Sequence, residues 1–362
     1  REQYEQLAPK FDPVDFNAAQ WVKIAKEAGM KYIVITTKHH DGFCMFNTKA
    51  TKYNVVDATP WHKDPMALLS EACGKQGIKF CTYYSIMDWH TDLQQAADTN
   101  ADHPTYNPTT LTHPKQYISY MEDQLHELIT QYHTNLIWFD GGWLKGWTVD
   151  DARQVYNYIR GIDPRIVVNN RLEHGVGDYG TPEQQIPPQG LPGAWETCMT
   201  INNTWGYKTD DDNWKSVTTL ITNLIHCASG GGNFLLNVGP TGTGIIPQPE
   251  VDRLLAMGKW LKINGEAIYD SERTPFPKAL PFGYATQKPG EVFLEVTKWP
   301  ENGELAVPMK NKIVKAYLLA DKRHALKTDT GSDGQVVHLP ATAPDAVASV
   351  VVLKIKGPVQ PD

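Results

Sequence analysis

The chain holds 362 residues, 41% hydrophobic and 21% charged, with a formal net charge of −7. That length buries a large core without staples, and the apolar fraction excludes wholesale disorder. The acidic balance argues against a nucleic-acid binder, and no run approaches the ~18 uninterrupted apolar residues of a membrane-crossing helix. Two or three ordinary domains fit the length, and so does one α/β barrel with a small appendix. The 11 Trp, 16 Tyr and 12 His suit an aromatic-lined cleft as well as they suit a large core.

In chain order, FNAAQWVKIAKEAG carries apolar residues at helical spacing, with Asp15 as its expected N-cap and Gly29 as its stop. KYIVITT reads as a buried strand. PMALLSEACGKQG, bounded by Pro65 and Gly77, is a second helix, and IKFCTYYS is the next strand. The polar stretch from Trp89 to Asn107 reads as a long loop. A helix over HPKQYISYMEDQLHELITQY, the strand NLIWFDGG, a helix over VDDARQVYNYIRGID and the strand RIVVNN follow. A second long loop covers residues 172–193. Then come the strand AWETCMT, a helix over NWKSVTTLITNLIHCASGG, the strand NFLLNVGP and a last helix over PEVDRLLAMGKWLKINGEAIY. Strands separated by helices imply a parallel sheet, with the site on the loops that follow the strands. From about Thr274 the helical pattern ends. EVFLEVTKW, KIVKAYLLA, GQVVHLP and AVASVVVLKIK read as a small antiparallel β-sandwich. The expected architecture is therefore α/β, an irregular (β/α)8-like, TIM-type barrel over residues 1–273 followed by a sandwich over 274–362.

The five cysteines, Cys44, Cys73, Cys81, Cys198 and Cys227, form no C-x-x-C, and most lie in apolar runs, so buried free thiols are expected. The opening REQYEQLAPKFDP shows no leader, which is also what a processed secretory signal leaves behind.

Polar residues at strand ends are the site candidates: His39 and His40, Tyr83 and Tyr84, Asp140, then Asn169, Asn170 and Arg171, Glu196 and Asn237. Asp140 leaves an apolar run and meets Gly141-Gly142, which allow close approach of another group; an Asp capping the next turn would look the same. Glu196 sits inside a strand pattern, where Glu is disfavoured; a salt bridge to Arg171 would also explain it. Two carboxylates on different strands suit retaining glycoside hydrolysis, one attacking the anomeric carbon and the other donating and then accepting a proton. His39-His40-Asp41, completed by Asp88 and His90, invites a metal reading, but no H-x-H or H-E-x-x-H spacing supports it. Imidazoles that hydrogen-bond sugar hydroxyls fit better. There is no G-x-S-x-G elbow, and the glycine-rich SGGGNFLLNVGPTGTG lacks the lysine of a P-loop.

TTKHHDGF, YYSIMDWH, LIWFDGGW, WETCMTINNTWGY and GGNFLLNVGPTGTG together resemble glycoside hydrolase family 29, the retaining α-L-fucosidases. The resemblance implies release of terminal fucose by double displacement, with no metal and no cofactor. It implies Asp140 as nucleophile and Glu196 as acid/base, with Glu173 behind it. It places His39, His40, Tyr83, Arg171 and Trp205 at the substrate. The implied partner is a glycan bearing terminal α-L-fucose, not nucleic acid or a membrane, and a homo-oligomer is compatible with it. A periplasmic or secreted location is expected. The rival readings are a non-catalytic fucose-binding protein on the same fold and a metal-dependent barrel hydrolase. One departure is noted: the family's opening F-G-x-F-x-H-W-G strand is absent, and six barrel-type strands are read where eight close a barrel. An N-terminal extension carrying that strand and another sugar-contacting His is therefore expected.

Overall fold

The structure, a computed structural model, describes residues 1–95, 109–332 and 334–362. Most of the polar stretch expected as a loop, residues 96–108, lies outside the described residues. The chain forms two compact units, Arg1–Thr181 with Gly239–Pro247, and Pro182–Val238 with Gln248–Asp362. The architecture is mixed α/β. No helix among the described residues is long and apolar enough to cross a membrane.

In the first unit, β1 (Tyr32–Lys38), β2 (Lys79–Ser85), β3 (Leu136–Asp140) and β4 (Val167–Val168) form a parallel sheet in that order. Helix α1 (Ala18–Glu27) precedes β1. Helices α2 (Pro65–Gln76), α3 (Pro114–Thr130) and α4 (Val149–Ile162) make the crossovers between successive strands. Asn17 caps α1, accepting from the Gln20 N–H at 3.0 Å. Asp15, expected in that role, lies two residues too early for its side chain to meet the orphan amides, and its own N–H bonds the Thr243 carbonyl. Asp64 caps α2 ahead of Pro65, and Gly77 ends it as expected. The capping box of Thr148 and Asp151 starts α4. The expected strand RIVVNN is only two residues long, and a 3-10 turn over Asn170–Leu172 follows it directly.

The pairing of β1 with β2 slips at its end: Thr36 faces Tyr83, but Lys38 faces Tyr84. Thr37 is the extra residue, its hydroxyl donating to the Tyr83 carbonyl at 2.7 Å. Thr37 and Lys38 are consequently both fully buried although they are neighbours on a strand. Such a bulge re-aims the side chains that follow it, here His39 and His40.

In the second unit, β5 (Glu196–Thr200) pairs in parallel with β6 (Asn233–Asn237), with α5 (Val217–Ser229) between them in sequence. Helix α6 (Gln248–Asn264) follows. The remainder is antiparallel: β7 (Gly283–Lys288), β8 (Glu291–Val296), β9 (Glu304–Val307), β10 (Ile313–Leu318), β11 (Asp321–Ala325), β12 (Thr328–Gly331), β13 (Gly334–His338) and β14 (Ser349–Ile355). Five of them form a sheet in the order β11-β10-β14-β8-β7, and three form another, β9-β13-β12. Leu294, Leu305, Val307, Val337 and Leu353 fill the core shared by the two sheets. Phe293, Tyr317, Val350 and Val352 pack against α5 and α6. Strand β14 is covered on both faces, which explains its unbroken apolar run. All five cysteines are buried.

Candidate active site

Asp140 is the last residue of β3 and is 9% exposed. Tyr83 donates its hydroxyl to Oδ2 at 2.8 Å, and Arg171 donates from Nη1 to Oδ1 at 3.1 Å. One partner per oxygen fixes the plane of the carboxylate. Arg171 is itself held: Nε donates to the Thr181 hydroxyl at 3.0 Å, and the guanidinium lies 4.5 Å from the centre of the Trp138 ring. Tyr83 and Trp138 are register partners on adjacent strands, and their rings stack at 5.5 Å. Gly141 follows at φ 75°, where a Cβ would stand 2.8 Å from that of Met87. A Cβ on Gly142 would come within 2.6 Å of the Arg171 carbonyl. The two glycines thus let the chain turn immediately behind the carboxylate.

The bend after β1 sets two imidazoles beside Asp140, with ring centres 4.1 Å apart. His40 Nε2 lies 3.8 Å from Asp140 Oδ2, and its Nδ1 lies 2.6 Å from the Ser85 hydroxyl. Ser85 donates its single hydrogen to the Met87 carbonyl at 2.7 Å. It can therefore only accept from His40, so Nδ1 carries the proton and Nε2 keeps its lone pair. Burial, with help from neighbouring His39, pushes the His40 pKa down to about 4 against the opposing pull of Asp140. His39, stacked on Tyr83 at 5.7 Å, is also drawn below the ordinary histidine value by burial, against Asp41 and Asp140. At neutral pH both rings are uncharged, and each can accept as well as donate.

Beneath the bend lies a buried ion pair. Lys38 Nζ meets Asp88 Oδ2 at 2.9 Å, with side chains 0% and 1% exposed. Nζ also donates to the Tyr117 hydroxyl at 3.0 Å and lies 4.5 Å from the centre of the Tyr84 ring. Asp88 Oδ1 accepts the backbone N–H groups of His90 and Thr91, each at 3.0 Å. The pair ties the end of β1 to the loop after β2.

Five of the seven residues expected at the site, His39, His40, Tyr83, Asp140 and Arg171, come together in the first unit. Glu196 and Trp205 belong to the second. Glu196 opens β5 at 2% exposure; Trp205 is 41% exposed, its carbonyl accepting from Asn237. Tyr84 alternates away from Tyr83 and is buried with its hydroxyl on Gln124 at 2.6 Å. Asn169 is structural too, exchanging two 2.9 Å hydrogen bonds with the Phe139 backbone. Asp88 and His90, weighed as metal ligands, are committed elsewhere, to Lys38 and to Glu5. The sequence reading missed Lys38, Ser85, Trp138 and Thr181. Trp138 was open to detection, because strand alternation puts it on the same face as Asp140.

A clamped strand-end carboxylate beside neutral hydrogen-bonding rings can attack an electrophilic carbon while its neighbours hold hydroxyl groups, which is the equipment of a glycoside hydrolase. A family model described as Alpha-L-fucosidase matches residues 1–266. The tissue alpha-L-fucosidase of Macaca fascicularis is 32% identical over 370 residues, covering 98% of this chain and 77% of its own. Among solved structures, alpha-L-fucosidase isoenzyme 1 of Paenibacillus thiaminolyticus is 33% identical at a TM-score of 0.89, covering 98% of this chain and 90% of its own. The alpha-L-fucosidase GH29 of Bacteroides thetaiotaomicron, as a trapped covalent intermediate, is 28% identical at a TM-score of 0.87, covering 98% and 86%. This chain belongs to the alpha-L-fucosidase family, glycoside hydrolase family 29.

Proposed function

We propose that this enzyme releases terminal α-L-fucose from glycoconjugates with retention of configuration, through a covalent ester on Asp140. The observation that carries the reading is the clamp of Tyr83 and Arg171 on the two oxygens of Asp140. A carboxylate held in one plane reaches the anomeric carbon without reorganising. One of its oxygens bonds to that carbon as the glycosidic bond breaks, and the departing oxygen takes a proton from the acid. The same group, now a base, removes a proton from water, whose oxygen attacks the anomeric carbon and frees Asp140. The lone pair on His40 Nε2 accepts a sugar hydroxyl, and His39 serves another. The trapped intermediate of the Bacteroides relative supports the two-step course. The likeness to solved fucosidase structures supports assigning residues 1–273 to an irregular (β/α)8-like barrel and residues 274–362 to a β-sandwich. The periplasm or the cell exterior is the proposed location.

Glu196 is the proposed acid/base, on the strength of a carboxylate held almost fully buried at the start of a strand. A specific observation favours Glu173 as the second reading: its Cγ occupies the space a side chain on Gly142 would need, two residues after Asp140. Azide separates them. Loss of the acid/base leaves activated aryl fucosides as substrates, and azide then captures the intermediate as α-fucosyl azide. Glu196→Ala should show this behaviour. The same product from Glu173→Ala, with Glu196→Ala forming none, would move the role to Glu173.

A further inference from the structure

We propose that Trp89 is the aglycone platform of the enzyme, stacking on the sugar ring to which fucose is attached; this rests on the fucosidase reading above. Trp89 is 46% exposed, an unusual state for so large an apolar ring. It is also held from three sides. Its indole N–H donates to the Thr109 hydroxyl at 3.1 Å, and Thr109 is itself only 2% exposed. Its backbone N–H donates to the His40 carbonyl at 2.8 Å. The preceding residue, Asp88, is anchored in the buried pair with Lys38. Holding an exposed side chain in one orientation costs rotamer entropy, and a core contact does not offset it here. Binding a flat, weakly polar surface would.

The position gives the direction. The Trp89 ring centre lies 5.7 Å from that of His40, whose Nε2 faces Asp140. The ring therefore neighbours an imidazole that the reading above assigns to a fucose hydroxyl, close enough to meet the sugar attached to fucose. A pyranose presents a face of C–H bonds, which packs on an indole while its hydroxyls remain in water. The ligand class is thus a hexopyranose carrying α-linked fucose.

The test compares two substrates. α-L-Fucosyl fluoride has no aglycone ring, whereas an α-L-fucosylated disaccharide glycoside does. In Trp89→Ala, kcat/KM for the disaccharide relative to the fluoride should fall ~10-fold or more, equivalent to about 1.4 kcal/mol. The fall should lie mainly in KM, and Trp89→Phe should recover most of it. An unchanged ratio overturns the proposal. Equal losses on both substrates also overturn it, placing Trp89 against fucose itself. Parent enzyme inactive on both substrates would instead sink the fucosidase reading.

Discussion

The strand-end cluster of the first unit and the five-stranded antiparallel sheet of the second both bury ionisable groups, in opposite ways. Around the ends of β1–β3 the buried charges are paired: Lys38 with Asp88 and Tyr117, and Asp140 with Tyr83 and Arg171. In the sheet, Glu295 on β8 is fully buried with only the Thr286 hydroxyl on Oε1, and Oε2 has no hydrogen-bond partner among the described residues. Thr286 also faces the Ala267 carbonyl at 2.7 Å and has one hydrogen to give. With one hydrogen shared between two acceptors, Thr286 leaves Glu295 short of donors, and burial pushes its pKa up to about 8, favouring the neutral acid. The first region keeps charge in the interior by pairing it, which fixes geometry for chemistry. The second keeps its acid by neutralising it.

The comparison breaks most easily at Lys38. Lys38→Met leaves Asp88 buried without its cation and should cost ~3–5 kcal/mol in urea unfolding. Lys38→Met with Asp88→Leu should cost less than the single change. A single-mutant loss below about 1 kcal/mol would show that the pair is not a closed ionic unit.

Glu295 sharpens the contrast through pH. Its carboxyl titrates near 4.5 in the unfolded chain and near 8 in the fold, so the unfolded state gives up its proton first. Stability from this group is complete below the first value, falls as pH rises through the second, and is flat above it. The slope reaches at most about 1.4 kcal/mol per pH unit. Glu295→Gln keeps a donor for Thr286 and cannot ionise. Its stability advantage over the parent should therefore widen from pH 5 to pH 8 in urea titrations. A constant difference would mean that Glu295 is not neutral in the fold.

The smallest effect is at the rings. His40→Ala removes one partner of a sugar hydroxyl and should weaken fucose binding by ~1–3 kcal/mol. Ser85→Ala, which only frees the tautomer, should cost less. Calorimetric titration with fucose reads both, and parent-like affinity in His40→Ala would remove His40 from the site.

Much of this site was legible because its residues interrupt a pattern. Asp140 ends an apolar run before two glycines, and His39 and His40 follow a β-branched strand. Lys38 was not legible, because a lysine closing a strand reads as solvent-facing, and its partner lies fifty residues away with no periodicity to link them. Glu295 hid in EVFLEV for a similar reason: the alternation looks half-exposed, yet α5, α6 and the second sheet cover both faces. Strands β7, β11 and β12 were missed because they are rich in polar residues and glycine, and β9 because its four residues are too few to show an alternation. Strand β11 is exposed along almost its whole length and carries no apolar alternation. Asn17 took the cap expected of Asp15 because capping depends on reach to particular amides, which composition does not reveal.

The central claim is that Asp140 becomes the covalent link to the sugar. Incubation with 2-fluoro-fucosyl fluoride, peptide digestion and mass spectrometry tests it directly. The account predicts one fluorofucosyl adduct per chain, on the peptide containing Asp140 and fragmenting to that residue, with the adduct absent in Asp140→Ala. An adduct on Glu173, Glu196 or any other carboxylate, or an enzyme that turns over fucosides with Asp140 replaced by Ala, would contradict it.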